Sequence, residues 1–151
     1  MKEIYTTILK LKYFCVCNES RISFSCQISL AELKGINAME KNKSITCSAL
    51  SEKMNLSPSR GSRIIDNLVK KGCLIRKIMD NDRRATLLYL SKKGEKIKND
   101  INREQKTFEQ KLRSELSSQE IESIEVGLNI LEKFLVNNIK KEIKNVRKNS
   151  N

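Results

Sequence analysis

The segment KNKSITCSALSEKMNLSPSRGSRIIDNLVKKGCLIRKIMDNDRRATLLYLSKKG, residues 41–94, changes its hydrophobic period several times in quick succession. After a polar loop at Lys41–Ser44, the spacing of Ala49, Leu50 and Met54 predicts a short helix from Thr46, a natural cap, to Met54. Asn55-Leu56 reads as a tight turn. Ser57-Pro58 then opens a further helix, with a hydroxyl cap and proline at the first helical position, where no intrahelical amide is needed. That helix is expected to run to Lys71 and to stop at Gly72, with Lys70 and Lys71 in the last turn suiting the dipole. Leu74–Met79 and Thr86–Leu90 read as two strands of a hairpin, with Asp80-Asn81-Asp82-Arg83-Arg84 as its charged turn.

Two short helices across a tight turn, followed by a hairpin, is the order of a winged helix-turn-helix. At 100° per residue, Gly61, Ile64, Ile65 and Leu68 gather on one side of the second helix. Ser59, Arg63, Asp66 and Lys70 fall opposite, flanked by Arg60 and Asn67. A rod of about 22 Å enters a major groove endwise. Its early exposed residues reach base edges, which makes Ser59 and Arg63 base readers and Arg60 a reader of base or phosphate. Ser57, Asn67, Lys70 and Lys71 complete the face, the lysines toward the flanking backbone. Asp66 would repel a phosphate and needs a neighbouring base to pair with. In the hairpin, Arg83 and Arg84 suit a narrow minor groove, with Asp82 holding one of them by an ion pair.

Outward from this segment the chain reads as helix. Ile4, Ile8, Leu11 and Cys15 predict a helix over 2–16, followed by an irregular connector at Asn18–Ser25. Ser29-Leu30-Ala31-Glu32 is a capping-box sequence opening a helix with Leu30, Leu33, Ile36 and Met39 on its apolar side. Ser91 caps a long helix to about Arg113, striped by Ile97, Ile101, Phe108 and Leu112. Ser117 to Glu120 is a second capping box. The last helix carries Ile121, Ile124, Leu128, Leu131, Leu135, Ile139 and Ile143. The expected fold is therefore mostly α with a small β wing. An N-terminal dimerisation helix and connector fill 1–28, the winged domain 29–94 and C-terminal dimerisation helices 95–151. The first and last helices carry more apolar surface than one small winged domain buries. An isologous homodimer hides it most simply, and sets two reading heads about 34 Å apart.

Composition agrees. The net charge is +12 and the mean hydropathy −0.50. Residues 46–94 hold 11 Lys/Arg against 4 Asp/Glu, so most of the excess lies in the winged segment. A localised basic surface suits a polyanion such as a double-stranded DNA operator better than a membrane, whose surface helices need a Trp/Phe-rich face. Lys10 and Lys12 interrupt the apolar N-terminus, so neither a signal peptide nor a membrane span is expected, and a cytoplasmic location follows. The chain has no histidine. That removes Ser-His-Asp and Cys-His chemistry and histidine-based zinc sites. With no glycine-rich phosphate loop either, an enzyme is not expected.

Five cysteines in such a chain are expected to be reduced thiols. Cys15 belongs to the apolar stripe. In a regular helix Cys17 sits about 200° away from it. If the helix ends near Cys15, Cys15, Cys17 and Cys26 together suit a soft metal ion, a metalloid or the edge of an iron-sulfur cluster. Structural thiols packed in the core, as the place of Cys15 in the stripe suggests, are the first expectation, and a redox switch is a further one, with Arg21 near Cys17 and with Cys47 at a positive helix terminus.

The segment 41–94 resembles the MarR family of bacterial transcriptional regulators. The similarity is carried by Asp82-Arg83-Arg84, then Leu88-Tyr89-Leu90-Ser91 and Gly94, and by Asn67 to Gly72. The resemblance implies a triangular dimer made by the terminal helices and a palindromic operator, usually repressed. It also implies release by a small-molecule effector or an oxidant acting at a pocket beside the dimer helices. Ser57 to Lys71 would be the recognition helix, Arg84 the wing arginine and Asp82 its partner. The cysteine-bearing segment before Ser29 departs from the family's usual apolar helix and loop. A dimeric helical interaction protein that reads no DNA would instead scatter its basic residues away from the helix–wing face.

Overall fold

The computed structural model describes residues 3–79 and 82–148, with side chains described over 3–78 and 86–139. The chain divides into two compact units, Met1–Glu104 and Gln105–Asn151. Along it run α1 (Ile4–Ser25), α2 (Leu30–Asn37), β1 (Ile45–Thr46), α3 (Cys47–Lys53) and α4 (Pro58–Lys70). Then follow β2 (Leu74–Met79), β3 (Asp82–Leu90), α5 (Lys92–Glu115) and α6 (Ser118–Lys148). The antiparallel sheet has the order β1-β3-β2, so β3 is central.

The capping signals act as read. Ser29 Oγ accepts from the Glu32 amide at 3.2 Å, and the Ser29 amide donates to Glu32 Oε2 at 2.7 Å. Ser117 and Glu120 repeat the exchange at 2.8 and 3.3 Å. Thr46 Oγ1 accepts from the Ala49 amide, and Ser91 Oγ from that of Gly94. Ser57 departs from expectation. Its hydroxyl caps nothing and lies 3.5 Å from Ser59 Oγ, while its carbonyl accepts from the Gly61 amide at 2.9 Å.

Three elements differ from the sequence reading. The first helix continues through Asn18–Ser25. There Ser23 Oγ donates to the Ile28 carbonyl and Ser25 Oγ to that of Ile22, while Ile22 packs on the core. Hydroxyls that look like breakers in sequence are spent on local backbone acceptors. The helix stops only at Cys26–Gln27, where Gln27 takes φ 54°. The second difference is β1, two residues long, whose Ile45 and Thr46 pair with Leu88 and Leu87. Third, β3 begins at Asp82, and Met79 pairs with it past an irregularity at Ile78/Met79. The expected turn at Asp80–Arg84 is thus shorter, because a backbone ladder tolerates polar side chains on a solvated hairpin.

In the first unit, Leu33, Ile36 and Met39 of α2 and its end meet Leu50 of α3, Ile65 and Leu68 of α4, Leu88 of β3 and Ile97 and Ile101 of α5. Each buried aliphatic side chain of this kind contributes about 1.5–3 kcal/mol. Charged tethers bind the rim. Lys98 Nζ donates to the carbonyl and side-chain oxygen of Asn37 at 2.5 and 2.8 Å, tying the start of α5 to the end of α2. Burial pushes the Lys98 ammonium down, and the nearby Glu40 opposes that.

In the second unit, α6 exposes Ile124, Val126, Leu128, Ile130, Phe134, Leu135 and Ile139. Leu128, Leu131, Leu135 and Ile139 lie along one solvent-open apolar side of this helix. Ile143 lies beyond the described side chains. In the first unit, α1 likewise exposes Ile4, Tyr5, Leu9, Leu11, Tyr13 and Phe14. Among the described residues, no helix is long and apolar enough to cross a membrane.

Candidate nucleic-acid interface

The reading unit is α3, a turn, and α4. The turn closes at Asn55, whose φ of 55° is a left-handed conformation that asparagine tolerates. The two helices meet through Gly61. A Cβ there would stand 2.0 Å from Ser51 Oγ and 2.5 Å from Ser51 Cβ. Ser51 is itself buried, with its hydroxyl donating to the Cys47 carbonyl at 2.8 Å. Two turns further along the same inward side of α4, a Cβ at Gly35 of α2 would lie 3.1 Å from Leu68 Cδ1. Gly61, Ile65 and Leu68 are buried and Ile64 is half-buried, the inward set expected from their spacing.

The opposite side of α4 is open to solvent. Ser57, Ser59, Arg60, Arg63, Asn67 and Lys70 are all exposed. Arg60, Arg63, Asn67 and Lys70 follow one another at spacings of three, four and three, and so form one stripe. This stripe carries three cations and an amide. Asp66 lies beside it and accepts from Arg76 of β2, Nη2 to Oδ1 at 2.7 Å.

Lys71 has a different role from the backbone contact expected of it. Its ammonium donates to Glu32 Oε2 at 2.7 Å and to the Gln27 carbonyl at 3.3 Å, fastening the end of α4 to α2. Burial alone pushes the Glu32 carboxyl up. The Lys71 ammonium and the Ser29 amide and hydroxyl outweigh it and hold the group below the usual glutamate range. A depressed folded value means that the carboxylate stabilises the fold above the ordinary value of 4.5. That contribution fades as pH falls through the lowered value. Glu32→Gln is expected to cost about 2 kcal/mol at pH 7. The gap between variant and wild type should close as urea-unfolding midpoints are followed below pH 4.5. A gap independent of pH would exclude the tether.

On the wing, Lys77 Nζ lies 5.2 Å from the centre of the Tyr89 ring. The backbones of Asp82, Arg83 and Arg84 belong to β3. Their side chains, and with them the expected wing contact and Asp82 ion pair, lie outside the described residues.

The cysteines do not converge. Because α1 stays helical past Cys17, Cys15 and Cys17 point apart, both exposed, and Cys26 packs at the core's edge. Among the described residues, no group of three or more candidate ligands stands close enough for a metal ion. Cys47 is half-buried at the start of α3. Burial pushes the Cys73 thiol up, which suits core packing. The sequence reading did not single out the recess of about 340 Å³ lined by Arg21, Ile22, Ser25, Asp100, Arg103 and Glu104. In it Arg21 pairs with Glu104 and Arg103 with Asp100. Its residues are distant in sequence, and their meeting depends on how α1 crosses α5.

Residues 28–86 match the MarR family profile. The transcriptional repressor MprA of Escherichia coli (strain K12) is 35% identical over 86 residues, 57% of this chain and 49% of the repressor. The aligned part thus spans about half the length of that relative. Among solved structures, Streptococcus pneumoniae FabT in complex with DNA superposes with a TM-score of 0.76 at 28% identity, covering 88% of this chain and 94% of that one. The S. aureus MepR–DNA complex gives 0.67 at 17% identity, covering 87% and 99%, a likeness of fold.

Proposed function

We propose that this chain, whose residues 28–86 match the MarR family profile, is a homodimeric regulator of transcription of that family, not an enzyme, that binds a palindromic duplex operator in the cytoplasm and represses from it. One observation carries the reading: Arg60, Arg63, Asn67 and Lys70 share the exposed side of α4, opposite Gly61, Ile65 and Leu68. A scattered basic surface, as an interaction protein would have, does not produce such a stripe. In this reading Ser59 and Arg63 reach base edges, with Arg60 on base or phosphate. Ser57, Asn67 and Lys70 flank them, and Arg83 and Arg84, supported by Asp82, enter the minor groove. The exposed apolar sides of α1 and α6 supply the surface for a second copy.

Release from DNA has two candidate triggers. A small organic effector is one, and the recess of about 340 Å³ beside Arg21 and Arg103 is the place to look for it, where it would compete with the Arg21–Glu104 and Arg103–Asp100 pairs. Cys15 and Cys17 are the thiols an oxidant reaches first.

The test is selection from a random duplex pool followed by footprinting. The expected result is a two-fold sequence protected in two half-sites about 34 Å apart. Arg63→Ala should then weaken binding to the selected duplex about tenfold or more, because one bidentate base contact is lost. Its thermal midpoint should match wild type, since Arg63 is exposed. Unaltered affinity at physiological salt would remove Arg63 from the reading face.

A further inference from the structure

Between Met54 and Met79 the sequence holds one carboxylate, Asp66, among Arg60, Arg63, Lys70, Lys71, Arg76 and Lys77. It occupies the middle of α4, next to the exposed cationic stripe, where a negative charge opposes any polyanion. Its partner comes from a different element. Arg76 sits opposite fully buried Leu88 in the β2–β3 ladder, so its stem leaves the sheet on the core-facing side. Its Nη2 ends 2.7 Å from Asp66 Oδ1. The contact is single, and both side chains remain partly open, 38% for Arg76 and 45% for Asp66. Among the described residues no donor reaches Asp66 Oδ2.

An exposed single-contact ion pair adds little to folding. Stability therefore does not account for a carboxylate placed on this face. Electrostatics toward DNA does. A carboxylate oxygen in a major groove accepts from a cytosine amino group and is repelled by a phosphate. Arg76 compensates that charge from β2 through one oxygen, and the other has no donor among the described residues.

We propose that Asp66 is a specificity-determining residue of the reading face, with Arg76 as the positioning residue that keeps it in place and compensates its charge. Asp66 rewards a duplex register that offers an amino donor and penalises registers that bring a phosphate to the same point. Non-specific binding, which rests on phosphate contacts, is thereby held down, and the ratio of specific to non-specific affinity is raised. The inference rests on the DNA-binding reading above.

The experiment uses the full-length chain and two probes: the duplex that wild type selects from a random pool, and the unselected pool. Asp66→Asn should bind the pool about threefold more tightly and lose about fivefold or more in the ratio between the probes. Arg76→Gln, which leaves the carboxylate uncompensated, should weaken binding to both probes about tenfold. Adding Asp66→Asn to Arg76→Gln should restore pool binding to near the wild-type level. A merely structural brace would lower the thermal midpoint in both single variants and give no such rescue. An unchanged ratio in Asp66→Asn, with wild type still selecting a sequence, overturns this inference alone. A wild-type chain that selects nothing overturns the DNA-binding reading and this inference with it.

Discussion

Gly61→Ala is expected to lower stability by about 3 kcal/mol, the upper range for overpacking a closed contact, and the thermal midpoint by about 10 °C. The added methyl would meet Ser51 Oγ at 2.0 Å and Ser51 Cβ at 2.5 Å. Rotating the hydroxyl away relieves only the first clash, and it forfeits the bond to the Cys47 carbonyl. The remaining overlap is removed only if α3 and α4 separate. Separation opens the core around Leu50 and Ile65, both fully buried, and tilts the reading face. DNA affinity should therefore fall even in the fraction that stays folded. A second substitution supplies the control. Ser51→Gly removes both clashing atoms and leaves the Ser51 Cα at 3.2 Å. The double variant should recover much of the loss, less about 1 kcal/mol for glycine inside a helix. Circular dichroism melts of the four proteins measure the cycle. An unaltered Gly61→Ala melt would mean that the two helices do not approach this closely.

The second large effect concerns assembly. Leu128→Asp combined with Leu135→Asp places two charges seven residues apart on one side of α6. Both leucines are exposed, 52% and 42%, so the chain's own packing loses little. If that side faces a second copy, two desolvated carboxylates per subunit abolish the contact. Wild type is then expected to sediment as a dimer and the variant as a monomer. Loss of bivalency should cost about a hundredfold in operator affinity, because the second reading head no longer benefits from tethering. A variant that sediments as wild type would move the dimer contact off α6.

The winged segment was legible because each of its parts rests on local chemistry. Pro58 opens α4, and Gly72 at φ 69° closes it. A two-sided periodicity then sorts Ile65 and Leu68 from Arg63 and Lys70. Ser29-Glu32 and Ser117-Glu120 marked helix starts for the same reason. What escaped the sequence is non-local. Asn18–Ser25 has poor helix formers, and its support is non-local or terminal: the packing of Ile22, the pair of Arg21 with Glu104 and the bond from Ser23 to Ile28. β1 is too short to show a period and exists because Leu87 and Leu88 offer an edge. In the site, Arg60, Arg63, Asn67 and Lys70 were visible as a face. Lys71 belonged by spacing to that face, yet a buried carboxylate far along the chain claims it. Arg76 gave no signal, because its partner is set by how β2 passes α4.

Ser91 holds a wider consequence. Its hydroxyl donates toward the Gly72 and Cys73 carbonyls at 2.6 and 3.1 Å, and it accepts the Gly94 amide at 3.0 Å. Gly94 lies so near the Cys73 carbonyl that a methyl there would stand 2.1 Å from it. The first turn of α5 is thus riveted to the junction where the reading helix gives way to the wing. A twist applied to the start of α5 would therefore carry the end of α4 and the start of β2 with it.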